Sequence, residues 1–212
     1  MRYHLLILVA AFALALSLPT TAVVPNWRDV VEHTVRVESA NGGGTGVPVR
    51  CEPMIDGNWF VTILTAAHVI QGEDLADWVI ATPEQVFGAP HLLAVHPTAD
   101  AALLGVSSQM PLHCPPLHFP DLYTGERVWV IGYPALVKHR VITDGWVGGP
   151  GYASAEVFPG NSGGPVVDLS GRLRGIVLRV GAYGHPMDPS FIHHDMGFLQ
   201  LGDIEEWLNR IL

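Results

Sequence analysis

The chain has 212 residues, 49% of them hydrophobic and 15% charged, enough to bury the core of one domain or of two closely packed halves. Its formal charge is −9, or −10 without residues 1–22, whose sole charged side chain is Arg2; its one lysine is Lys138. With no basic stripe to follow phosphates or an anionic bilayer, neither nucleic acid nor a polybasic membrane contact is expected. The 23 glycines and 17 prolines are spread along the chain, a composition of short strands and tight turns, and the reading is all-β.

Residues 1–22 carry Arg2, an apolar run over 5–18 and the small residues Thr20 and Ala22. A 14-residue run is short for a membrane span of ~20 residues and has the layout of a secretory signal peptide. Cleavage after Ala22 gives an exported protein, periplasmic or secreted. If Val23 and Val24 lengthen the apolar stretch, the segment stays as an anchor and membrane contact follows from that alone.

Residues 26–31 predict a helical turn capped by Asn26, and the alternation in residues 34–38 predicts a strand. The run ANGGGTG over 40–46 lacks a following Lys-Ser or Lys-Thr, so it is no phosphate loop and reads as a turn into a strand over 47–51. Asp56-Gly57-Asn58 predicts a hairpin turn before a strand over 59–64. That strand runs into TAAHV, where small residues leave the His68 imidazole room to face a cleft. Strands over 92–95 and 101–106 flank HPTAD, which ends in Asp100, 32 residues after His68. A carboxylate beside so apolar a strand is partly buried and needs a partner, either an imidazole or the ordinary groups of a strand end.

The proline-rich residues 111–121 read as a linker between a first half over about 27–110 and a second over about 122–201. The second half opens with a strand over 128–133 and a hairpin over 137–147. Next comes PGNSGGP over 159–165, a single hydroxyl, Ser162, in a backbone made bare by glycine; taken alone it is a nucleophile loop or a surface turn. A hairpin over 166–180 follows. A loop over 181–195 holds His185, His193 and His194, whose metal reading is disfavoured because successive strand residues face opposite sides. The chain closes on a helix over 203–211, with Asp203 and Glu206 as a capping box and Ile204, Trp207, Leu208 and Ile211 on one face. Cys51 and Cys114 lack the spacing of a zinc site and are either one disulfide, worth about 4 kcal/mol by loop entropy, or two free buried thiols.

TAAHV, Asp100 and GNSGGP, in the order His, Asp, Ser, resemble the trypsin-like serine peptidases. The resemblance is to the HtrA/Deg type, through GGGTGV, HPTADAALL, GERVWVIGYP and PGNSGGPVVDLSGRLRGIV, and it runs from about Trp27 to the final helix. It implies two six-stranded antiparallel β-barrels with a C-terminal helix and a cleft between them. It assigns His68 as general base, Asp100 as its orienting partner and Ser162 as nucleophile, with the N–H groups of Gly160 and Ser162 as oxyanion donors. Residues 178–180 (Leu178, Arg179 and Val180) would pair with substrate main chain. The implied function is an exported endopeptidase acting on polypeptides without a cofactor, and the resemblance allows for an oligomer.

Departures are informative. Asn161 stands where digestive relatives have the Asp that captures a newly cut N-terminus, so no zymogen switch of that kind is expected. The end at Leu212, directly after the helix, leaves no room for the PDZ domain of many HtrA proteins, and peptide sensing through one is not expected. Glu156, six residues before Ser162, stands at the base of the pocket for the residue before the scissile bond. There it favours Lys or Arg, unless it points away or pairs with Arg179. The competing function is a catalytically silent module that holds peptides in the same cleft.

Overall fold

The computed structural model describes residues 27–212 except 73, 135, 136, 186 and 187, with the backbone alone over 180–195. The expected signal segment therefore lies outside the described residues, as do the side chains of Val180, His185, His193 and His194.

Helix α1 (Trp27–His33) leads into one antiparallel sheet: β1 (Val35–Ser39), β2 (Gly42–Pro53), β3 (Trp59–Thr65), β4 (Val79–Ala81), β5 (Val86–Gly88), β6 (His91–Val95) and β7 (Ala102–Ser108). The strand order β5-β4-β1-β2-β3-β7-β6 makes a seven-stranded half-barrel where a closed six-stranded barrel was expected. Its two edges, β5 and β6, are joined through Ala89 and Pro90 and so lie within about 10 Å of each other. The sheet curls, but no ladder closes it among the described residues, and Pro90 has no N–H to contribute.

The glycine-rich run is strand and not turn. Residues 42–46 pair with β1 from Ser39↔Gly42 to Val35↔Gly46, which leaves Ala40 and Asn41 as the turn. The glycines are there for close packing: a Cβ on Gly46 would lie 2.6 Å from Ile63 Cγ2, and one on Gly44 2.7 Å from the Ser162 carbonyl oxygen.

In the second half, β8 (Arg127–Gly132), β9 (Val141–Gly149), β10 (Tyr152–Ala153), β11 (Pro165–Val167), β12 (Leu173–His185) and β13 (Asp188–Gln200) close into a six-stranded barrel, β10-β13-β12-β11-β8-β9. The loop expected over 181–195 is instead the far end of the β12–β13 hairpin, with Gly181↔Asp195, Ala182↔His194 and Tyr183↔His193 in register. Its histidines and glycines masked a run of strand-forming Tyr183, Phe191 and Ile192.

The final helix, α2 (Glu205–Ile211), also departs from expectation at its start. Ile204 occupies the N-cap without a side-chain bond, because a 3-10 turn over Leu201–Ile204 precedes the helix and Gly202 O already accepts the Glu205 N–H. Its buried face, Ile204, Trp207 and Leu208, joins Leu64 and Leu103 of the first half and Ile131 and Ile176 of the second in one core. That shared core fixes the seam between the halves by apolar burial.

Residues 111–121 are docked and not free. Leu117 bridges Leu173 in parallel, His118 N donates to Leu173 O at 3.0 Å, and Leu173 N donates to Pro116 O at 2.9 Å. Cys51 and Cys114 form a disulfide, with Cα atoms 6.3 Å apart, tying β2 to this connection across 63 residues of chain.

Candidate active site

Strand register brings the first two residues together. Thr65 pairs with Ala102 and Val95 pairs with Ala102 on its other side, so the chain beyond β3 and the β6–β7 turn share one end of the sheet. His68 sits three residues past Thr65 in a 3-10 turn, Ala67–Ile70, and Asp100 two residues before Ala102. Asp100 holds the histidine twice: Oδ1 accepts the His68 backbone N–H at 2.8 Å, and Oδ2 lies 2.6 Å from Nδ1. The carboxylate therefore places the proton on Nδ1 and leaves the Nε2 lone pair outward. Both side chains border solvent, 41% and 36% exposed.

The serine loop is built by glycine. Asn161 N donates to Phe158 O at 3.0 Å, closing a turn with Pro159 second and Gly160 third at φ +100°, a conformation that favours glycine. Among the described residues, neither the Gly160 nor the Ser162 N–H has an acceptor. Gly163, at φ +81°, lies against the first half so closely that a Cβ would stand 2.3 Å from Thr65 Oγ1 and 2.8 Å from Ala66 N. Ser162 is thereby pressed against the chain segment that carries His68. Its hydroxyl donates to Leu178 O at 3.3 Å and makes no hydrogen bond to the imidazole.

Thr45, which sequence reasoning missed inside the presumed turn, joins the halves. It is fully buried. Its N–H donates to Ser162 O at 2.8 Å, its hydroxyl donates to Gly160 O at 2.8 Å, and that hydroxyl accepts the Tyr133 N–H at 3.0 Å. The available signal was a single hydroxyl among five small residues. Thr45→Val keeps the shape and orphans the Tyr133 N–H and the Gly160 carbonyl. It is expected to lower unfolding free energy by about 1–3 kcal/mol in urea titration; an unchanged midpoint would refute this. Tyr133 adds a second seam bond, its hydroxyl donating to Thr34 O at 2.9 Å, and burial pushes its pKa up to about 12.

Of the remaining sequence candidates, Leu178 is brought to the serine and its carbonyl is the serine's acceptor. Pairing of β12 with the serine side ends at Val177, which exchanges bonds with Gly163 and Gly164, so beyond it this edge has no neighbour among the described residues. Arg179 turns away over Gly197 to Tyr152, donating to its hydroxyl at 2.7 Å with the guanidinium 5.8 Å from the ring centre. Glu156 is exposed between buried Ala155 and Val157, and forms no ion pair among the described residues. Asn161 is buried against Gly132, and its Oδ1 has no partner among the described residues. No group of three or more His, Cys, Asp or Glu among the described residues could hold a metal.

Fold and geometry together define a two-part antiparallel β protein in which a glycine-flanked serine loop packs against the strand end that leads to an Asp-bound histidine. The model of the trypsin-like peptidase domain matches residues 44–176, and the chain belongs to that family. Serine protease Rv3671c of Mycobacterium tuberculosis is 29% identical over 153 residues, which are 61% of this chain and 37% of that protein, so the chain spans little more than a third of this relative. The crystal structure of the inactive form of the Rv3671c protease is similar in fold at TM-score 0.65 and 22% identity, over 91% of this chain and 95% of that one. A serine endoprotease from Yersinia pestis is similar at TM-score 0.65 and 20% identity, over 87% and 64%.

Proposed function

We propose that the chain is a serine endopeptidase that hydrolyses polypeptides through an acyl-enzyme formed on Ser162. The observation that carries this reading is the double hold of Asp100 on His68, beside a serine loop whose two N–H groups have no acceptor among the described residues. His68 Nε2 takes the proton as Ser162 Oγ attacks the scissile carbonyl, and returns it to the departing amine as the C–N bond breaks. Asp100 stabilises the imidazolium formed between these steps. The Gly160 and Ser162 N–H groups stand ready for the oxyanion, so they need no reorganisation as charge develops. Water then attacks the acyl carbonyl with His68 again as base, and Ser162 is released.

Substrate main chain adds to the unpaired edge of β12 from Leu178 onward, completing a ladder whose neighbour ends at Val177. The chain after the scissile bond leaves toward a cavity of about 600 Å³ bounded by Gly43, Gly44, Tyr133, Pro159 and Gly160. The exposed Glu156 carboxylate would favour a basic residue before the scissile bond if that side chain reaches it. Export fits the apolar run over residues 5–18 and the Cys51–Cys114 disulfide, which persists in an oxidising compartment.

A fluorophosphonate probe tests the reading. The purified chain is expected to be labelled once, with the adduct mapped by mass spectrometry to Ser162, and casein cleavage is expected to stop in step with labelling. Absence of labelling would leave the peptide-holding module instead.

A further inference from the structure

We propose that His96 is a positioning residue for Asp100: its imidazole braces the turn that aims the carboxylate at His68, and anchors that turn to the C-terminal helix. His96 Nδ1 lies 2.8 Å from the Ala99 N–H and 3.2 Å from the Thr98 N–H, and both groups can only donate. Nδ1 is therefore the acceptor, and the ring is the neutral tautomer with its proton on Nε2. Outside this inner brace, His96 N donates to Ala101 O at 2.9 Å, and Ala101 N donates to Ala99 O at 2.9 Å, a tight turn centred on Asp100.

The same ring meets Trp207 edge-on, with centroids 5.2 Å apart and planes at 73°. Trp207 belongs to the buried core that spans both halves, and Ala99 packs against that core as well. His96 thus does two things that no smaller acceptor does together. It fixes the backbone just after Pro97, and it ties that backbone to the end of the chain. Asp100 must present two oxygens to two donors of His68, so a small rotation of its turn costs one of them.

Two substitutions separate the acceptor from the ring. His96→Phe keeps the contact with Trp207 and removes the acceptor; His96→Asn places an oxygen where Nδ1 stood, as in an Asx turn, and removes the ring. The first readout is the downfield proton resonance of the short His68 Nδ1–H bond to Asp100, followed by NMR in the full chain. It is expected in the parent protein and in His96→Asn, and lost or broadened in His96→Phe. This arm does not depend on peptidase activity.

The second readout, steady-state peptide hydrolysis, rests on the function proposed above. His96→Phe is expected to lose about tenfold in kcat, the size of effect that misplacement of a catalytic group produces, with KM within about twofold. His96→Asn is expected to keep at least roughly a third of the parent kcat. Activity then follows the acceptor and not the melting temperature. An unchanged resonance in His96→Phe would overturn the proposal. So would kcat falling in both variants in proportion to their melting temperatures. A parent protein that shows the resonance but hydrolyses nothing would instead sink the peptidase reading and leave the brace intact.

Discussion

In Ser162→Ala, peptide hydrolysis is expected to fall by about 10⁶-fold in kcat, with KM within a few-fold of the parent. In the proposed mechanism the substitution removes the one atom that forms the covalent bond, and it leaves the His68–Asp100 pair and the two N–H groups of the loop in place. What remains is the catalysis over water that oriented dipoles and binding supply by themselves, roughly 10³–10⁴-fold. Stability should barely move. Ser162 Oγ makes a 3.3 Å bond to Leu178 O, and its loss costs no more than about 1 kcal/mol. A progress curve on a fluorogenic peptide and a thermal melt together check this. A variant that keeps a tenth of the parent rate would show that Ser162 is not the nucleophile.

Asp168→Ala is expected to destabilise the fold by about 3–5 kcal/mol, because it strands a buried cation. The Arg174 side chain is 5% exposed and that of Asp168 9%. Arg174 Nη1 lies 3.2 Å from Asp168 Oδ2, while Nη2 donates to the Pro120 and Asp121 carbonyls at 2.9 and 3.2 Å. Asp168 is therefore the nearer and more buried of the carboxylates that compensate the charge pinning the interhalf connection to β12. Glu126 is the other acid in reach, at 3.6 Å, and is more exposed. Asp168 also closes the β11–β12 turn, its Oδ1 accepting the Ser170 and Arg172 N–H groups at 2.9 and 3.1 Å.

The same bonds set a pH dependence. Burial works against the Asp168 carboxylate, but the Arg172 side chain and the Arg172 and Ser170 N–H groups bond its ionised form and hold it below the usual carboxylate range. A depressed folded value means that its contribution is complete above the unfolded value of about 4 and is lost as pH falls through the folded one. The parent protein should therefore lose stability below about pH 4 more steeply than Asp168→Ala. Urea titrations at neutral and acid pH measure both effects. Converting Arg174 to Met in the Asp168→Ala background should restore much of the loss, since no unpaired charge is then buried. Equal destabilisation of the single and double variants would show that the turn, and not the ion pair, carries the effect.

Much of the site was legible in the chain because its chemistry is written in short, local patterns. Small residues around His68, a carboxylate against an apolar strand, and glycines flanking Ser162 each signal a side chain with room to react. Alternation marked β1, and apolar runs bounded by turns marked β3, β7 and β8, each to within a residue or two. Local signals failed where a residue's conformation is set by a distant partner. Residues 42–46 read as a turn because glycine favours turns, yet they form a strand because Ile63 and Ser162 need that space. Asp203 read as a cap, yet it lies within a 3-10 turn that already satisfies the helix start.

The sequence by itself determined the all-β class, strands β1, β3, β7 and β8 and the residue types available for chemistry, since these follow from period, turn composition and side-chain identity. Tertiary structure alone decided how those residues meet. It bonded Cys51 to Cys114, closed one barrel and left the other half open, and turned Ser162 toward Leu178. It also hung the serine loop on Thr45 and set the His96 ring against Trp207. The physical reason is that each of these outcomes is a distance between atoms remote in sequence. Such distances are fixed by the packing of the core and the register of the strands, and no window of the chain contains both ends of them.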